Sequence, residues 1–167
     1  VNGVSKGFAM TGWRIGYIAA PQWIAAACTK LQGQFTSGAS GISQKATEHA
    51  MNGGGALAAE MKAAFLKRRD FMVNGLKAID GFEVNVPQGA FYIFPDVSAL
   101  FGRKHAGGAL SSGHDLAMYL LEAADVATVG GDAFGSPNCI RLSYAASDEQ
   151  LAEALRRIER AVGELSA

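Results

Sequence analysis

Cysteine is nearly missing from this 167-residue chain: Cys28 and Cys139 stand far apart and fit neither a metal-ligand nor a redox spacing. Histidine is scarce too, with only His49, His105 and His114, so no metal site is expected. Both thiols are expected to be free and buried, as in a cytoplasmic protein. An excess of either charge is also lacking, because 15 basic and 15 acidic side chains cancel. No overall field therefore favours nucleic acid or anionic lipid, and an anionic ligand has to be recognised by a few local groups. No apolar run approaches the roughly 18 residues of a membrane span. No basic stretch followed by an apolar core marks a signal peptide.

What is present suits a folded protein. Nearly half of the residues (49%) are hydrophobic and 18% are charged, and the length suits one well-packed domain. Residues 13–20 (WRIGYIAA) read as a short buried strand, and Pro21 is placed to open a helix through Trp23, Ile24, Ala27 and Leu31. Residues 32–41 (QGQFTSGASG) read as a loop, followed by a helix over 42–51. The triplet Gly53-Gly54-Gly55 breaks it, each glycine costing about 1 kcal/mol relative to alanine in a helix. A long helix follows over 56–78, with Met61, Phe65, Met72, Leu76 and Ile79 at helical spacing.

Strands are expected at 82–86 (FEVNV) and 90–94 (AFYIF), joined by a turn at Pro87-Gln88-Gly89. Residues 102–113 look like a loop, before a helix at 115–124 and strands at 126–129 and 139–144. The final helix has a capping box, Ser147 with Gln150, and one apolar stripe of Leu151, Leu155, Ile158, Val162 and Leu165. Strands and helices mixed in this order indicate an α/β or α+β layer structure.

The chemistry is concentrated in residues 3–16 (GVSKGFAMTGWRIG). Lys6 sits among small and apolar residues, a setting that can desolvate an amine, lower its pKa and make it nucleophilic. A lysine that condenses with an aldehyde needs that property. Arg14, eight positions on, is suited to fork onto a phosphate and hold a phosphorylated aldehyde near the lysine. By spacing alone, a solvated surface lysine and an arginine in a surface ion pair remain open.

The segment resembles, position by position, the lysine signature of class I aminotransferases among the fold-type I pyridoxal-phosphate enzymes. Gly3, Lys6, Ala9-Met10, Gly12, Arg14 and Gly16 fall where that pattern wants them, and FAMTGWRIGY is similar to the prokaryotic-type aspartate aminotransferase branch. The resemblance implies that Lys6 forms the Schiff base with pyridoxal 5'-phosphate and then moves a proton. It further implies that Arg14 binds the cofactor phosphate, with Ser5 either assisting there or only forming the turn.

Alternation over 139–144 (CIRLSY) puts Ile140, Leu142 and Tyr144 on one face and Arg141 with Ser143 on the other. A charge in a strand of this kind needs a partner or a ligand, and an acidic side chain is the plain choice. The segment resembles the family's C-terminal motif, which implies that Arg141 forks onto the substrate α-carboxylate. Gly89-Ala90-Phe91-Tyr92 is similar to an element near the family's active-site entrance, where Phe91 either lines the substrate pocket or belongs to the core. In residues 126–134 (VATVGGDAF), Gly130 stands where the family often has proline, a departure expected to loosen the loop. Thr36-Ser37 resembles a loop that faces the partner subunit's cofactor in family dimers.

The resemblance covers the whole chain but only the C-terminal part of the family's length. It implies three parts: residues 1–37 closing the large cofactor-binding domain, 38–56 a helical link, and 57–167 a small α/β domain. The long helix with Lys62 and Arg68-Arg69 is expected to bridge or start the small domain. The chain opens on Val1 at a dense motif, and a longer N-terminal part is expected before it. Without the family's upstream groups, including the carboxylate for the pyridine nitrogen, this polypeptide alone is expected to hold the cofactor weakly and not to turn over. The resemblance implies transfer of an amino group from an aspartate-like amino acid to a 2-oxo acid, in a homodimer. Two other readings share the motif: a β-lyase or decarboxylase on the same fold, and an aminotransferase-like effector domain of a transcription regulator.

Overall fold

The computed structural model describes residues 1–53 and 55–167. Compactness divides them into two units, Val1–Ala63 and Ala64–Ala167.

The first unit is mostly helix. β1 (Asn2–Gly3) pairs antiparallel with β2 (Gly16–Tyr17), Asn2 opposite Tyr17 and Gly3 opposite Gly16. Between them run one helical turn, α1 (Val4–Gly7), and a 3-10 turn at Thr11–Trp13. The strand expected over 13–20 is thus reduced to two paired residues, and apart from buried Ile15 its side chains are exposed. The physical reason is Arg14: its left-handed backbone (φ 55°, ψ 48°) ends the extended path that the apolar run suggests.

α2 (Gln22–Phe35) starts after Pro21 as expected but continues through Phe35, so the Gly/Ser-rich loop is shorter than the sequence indicates. Gln32 and Gln34 are competent helix formers, and one Gly33 does not outweigh them. α2 buries none of its residues. Cys28 is therefore exposed, against the expectation of a buried thiol, and Cys139 is half-buried. α3 (Gly41–Gly53) ends and α4 (Gly55–Lys77) begins at the glycine triplet, whose middle member, Gly54, lies outside the described residues.

The second unit contains the core. Met72, Val73 and Leu76 from α4 join Leu116 and Leu120 from α5 (Gly113–Ala124) and Leu151, Ile158 and Val162 from α6 (Asp148–Gly163). Full burial of such side chains contributes about 1.5–3 kcal/mol each. They share one cluster with Ile93, Ile140 and Leu142 of a three-stranded antiparallel sheet. Its strands are β3 (Tyr92–Ile93), β6 (Val129–Gly130) and β7 (Ile140–Ser143), in the order β3-β7-β6. A separate hairpin, β4 (Lys104–His105) with β5 (Gly108–Ala109), occupies part of the expected loop at 102–113.

The strand expected at 82–86 does not form. Phe82 and Val84 are buried alternately, as the pattern requires, but only Glu83 is bridged, to Asp96. Pro87 has no N–H to extend a ladder, and Val86 is exposed. α6 begins as the sequence indicates: Gln150 N–H donates to the Ser147 hydroxyl (3.2 Å), and the Gln150 side-chain oxygen Oε1 accepts from Ser147 N–H (3.2 Å). Among the described residues no helix is long and apolar enough to cross a membrane.

Candidate active site

The lysine loop is closed at its base by backbone pairing. Gly3 sits opposite Gly16, and Val4 N–H donates to the Ile15 carbonyl at 3.3 Å. A Cβ at position 3 would lie 3.0 Å from that carbonyl oxygen, so glycine there permits the close approach. Ser5 and Lys6 ride on α1, directly after this closure, and Ser5 is half-buried. Lys6 and Arg14 therefore belong to one closed loop, as their spacing suggests.

Two non-glycine residues of the loop, Ala9 (φ 52°) and Arg14 (φ 55°), are left-handed, at about 1–2 kcal/mol each. Arg14 is held there by its own side chain, whose Nη1 donates to the Thr11 carbonyl (2.8 Å). Its remaining donors face outward, for Arg14 is exposed. Residues 1–47 contain no aspartate or glutamate, so the sequence around Arg14 offers its charge no carboxylate. An amine and a guanidinium on one strained, carboxylate-free loop form a donor set that fits an aldehyde carrying a phosphate. Lys6 is also exposed, contrary to the desolvated setting expected of it. Small neighbours do not cover its side chain, and low dielectric has to be supplied by whatever covers the loop.

In the second unit, β7 alternates as expected: Ile140, Leu142 and Tyr144 are buried, Arg141 is half-buried and Ser143 exposed. Among the described residues Arg141 has no ion pair and no hydrogen-bond acceptor for its guanidinium. The acidic partner that an ordinary surface arginine would have is not there. Its contacts are aromatic, with the Tyr92 and Phe134 rings each 4.4 Å from the guanidinium carbon. Neither ring stood out in the sequence. Tyr92 was legible as a strand position and as the last residue of Gly89-Ala90-Phe91-Tyr92, and Phe134 as one residue of the segment 126–134, but neither was tied to Arg141.

Phe91 is half-buried and packs against the core cluster, its ring 6.2 Å from Phe65 and 4.5 Å from Tyr92. Gly130 takes φ −58°, the value a proline would impose, and is paired with Ile140. The expected loosening is thus offset by the ladder and by Gly131 N–H donating to the Cys139 carbonyl (2.7 Å). Thr36 hydrogen-bonds with the Gln32 side chain, and Ser37 is left-handed (φ 62°).

The family model for class I and II aminotransferases matches residues 1–158. The chain belongs to this family. It is 51% identical over 166 residues to the bifunctional aspartate aminotransferase and glutamate/aspartate-prephenate aminotransferase of Petunia hybrida, covering 97% of this chain and 35% of that protein. It is 47% identical over 167 residues to the aspartate aminotransferase of Rhizobium meliloti (strain 1021), covering 99% of this chain and 41% of that one. A crystal structure of the aspartate aminotransferase from Rhizobium meliloti superposes with a TM-score of 0.94 at 46% identity, over 99% of this chain and 42% of that one. The α/β architecture is thus a portion of the aminotransferase fold, and the chain spans about two-fifths of the length of such relatives.

Proposed function

We propose that the protein containing this chain is a pyridoxal-phosphate-dependent aminotransferase that moves the amino group of an aspartate-like amino acid to a 2-oxo acid. The observation that carries the reading is the closed loop bearing Lys6 and Arg14, within a chain of this family. The printed activities of the relatives support the substrate class. None of them favours a β-lyase, a decarboxylase or a regulator.

Lys6 and Arg14 would hold the cofactor, Lys6 through a covalent bond from Nζ and Arg14 through its phosphate, with Ser5 beside them. Bound, pyridoxal phosphate supplies an electron-withdrawing ring that stabilises negative charge at the substrate α-carbon. With the cofactor in place, the Lys6 amine would be the base that takes the proton from the substrate α-carbon. Arg141 orients the substrate by pairing two N–H donors with its α-carboxylate. Phe91 is half-buried and would line the substrate pocket with the part of its ring that the core cluster leaves open. Residues 1–37 would close the cofactor-binding domain, 38–56 link it onward, and 57–167 form the small domain. The homodimer implied by the resemblance and the cytoplasmic location expected from the free thiols belong to the same proposal.

Product analysis tests it. Full-length protein given aspartate and a 2-oxo acid should release the amino acid of that 2-oxo acid, and the Lys6→Ala variant should not. Release of alanine and carbon dioxide instead would assign a decarboxylase, and release of pyruvate, ammonia and sulfide when cysteine replaces aspartate would assign a β-lyase.

A further inference from the structure

We propose that Tyr92 and Phe134 are positioning residues, which hold the Arg141 guanidinium flat between two rings so that only its edge is offered to a carboxylate. The proposal rests on the reading of Arg141 as the carboxylate-binding group.

Each ring reaches Arg141 by a different route. Tyr92 is opposite Ser143 in the β3–β7 register, which makes it the diagonal neighbour of Arg141 on the same face of the sheet. Phe134 ends a 3-10 turn, Gly131–Phe134. That turn is fixed to the strand by the bond from Gly131 N–H to the Cys139 carbonyl, two residues before Arg141. Position 131 has to be glycine, because a Cβ there would lie 2.1 Å from the Ser136 carbonyl oxygen and 2.5 Å from that of Cys139. Phe94 braces Phe134 from the side, with ring centroids 5.9 Å apart and planes at 90°.

Both rings pack on the guanidinium carbon at 4.4 Å, and among the described residues no hydrogen-bond acceptor takes its N–H donors. Cation–π attraction fixes the plane of the fork. A side chain already fixed loses less rotamer freedom when a ligand arrives. The geometry favours a planar, two-oxygen ligand approaching in the plane of the fork, and disfavours one that stacks on it. Core filling does not account for the arrangement, since Phe134 is 47% exposed and Tyr92 only half-buried.

The test uses the full-length, cofactor-loaded protein and two readouts: steady-state kinetics with aspartate, and calorimetric titration with succinate, which has carboxylates and no amine. Tyr92→Leu and Phe134→Leu should each raise the KM for aspartate and the Kd for succinate by about three- to tenfold, with kcat and the thermal midpoint little changed. Phe134→Tyr, which keeps a ring, should restore both constants. Arg141→Lys is the control for the underlying reading and should raise both constants further, because the fork is lost. If Arg141→Lys raises them while neither leucine variant does, the clamp is overturned and the arginine's role stands. If Arg141→Lys itself leaves both unchanged, the carboxylate assignment fails and the clamp with it. A fall in kcat and thermal midpoint with KM and Kd unmoved would mark the rings as merely structural, and also overturns the proposal.

Discussion

The Tyr144 phenol donates to the carbonyl of Ala90 across 3.0 Å, and Ala90 is left-handed at φ 60°. Tyr144 follows β7 and Ala90 precedes β3, so this bond ties the turn at 87–90 to the strand that carries Arg141. Arg69 supports the same turn, Nη1 donating to the Pro87 carbonyl at 3.2 Å. Tyr144→Phe should destabilise by about 1 kcal/mol, the net worth of one such bond. Ala90→Gly should be neutral or stabilise by up to about 1 kcal/mol, because glycine adopts this backbone without penalty. Denaturant titration measures both. A destabilised Ala90→Gly together with an unaffected Tyr144→Phe would contradict the assignment.

Alkali should loosen the second unit. Burial pushes up the Tyr119 phenol, with Glu164 adding to the shift, and burial likewise raises Tyr144 and the Cys139 thiol. Each group is neutral when protonated, and folding favours that form. Their contribution is therefore complete below the ordinary values, 9.0 for the thiol and 10.0 for the phenols, and is lost as pH climbs through the raised ones. Thermal midpoints should fall from about pH 9 upward, and Tyr119→Phe should flatten the fall above pH 10. An identical slope in that variant would exclude Tyr119 as a contributor.

The capping box of α6 offers a stability test remote from the candidate site. Ser147→Ala removes an acceptor from the Gln150 N–H and should cost about 1 kcal/mol. Ser147→Asp should retain most of the stability, since aspartate caps as well as serine. Chemical denaturation separates the two variants, and equal losses would contradict the capping assignment.

These elements differ in how far the sequence exposed them. The α6 cap and apolar stripe were legible because both depend on neighbours within one helix. β7 was legible because alternation directly reports which face is buried. Residues 82–86 have the same alternation yet form one bridge, since a hydrogen-bond ladder depends on a partner strand that local pattern does not encode. The run at 13–20 misled for a related reason: apolar residues marked a strand, while a left-handed Arg14 interrupted it. Lys6, Arg14 and Arg141 were named because a motif is a linear object. The rings around Arg141 were not, because Tyr92 and Phe134 meet it only through strand register and a glycine-dependent turn.

Closure of the lysine loop is a further point of attack. In Gly3→Val the new Cβ would press on the Ile15 carbonyl at 3.0 Å, so that β1 and β2 separate or shift, at about 1–3 kcal/mol. In the full-length protein, affinity for pyridoxal phosphate, followed by its absorbance, should fall. Unchanged affinity would mean that the pairing does not position Lys6 and Arg14.

Reduction of the full-length, cofactor-loaded protein with borohydride, followed by peptide mapping, asks most directly which amine bonds to the aldehyde. The expected result is a single pyridoxyl group on the Lys6 peptide, absent from the Lys6→Ala variant. The same label on Lys30, Lys45 or any other lysine would contradict the assignment of Lys6 and, with it, the proposed chemistry.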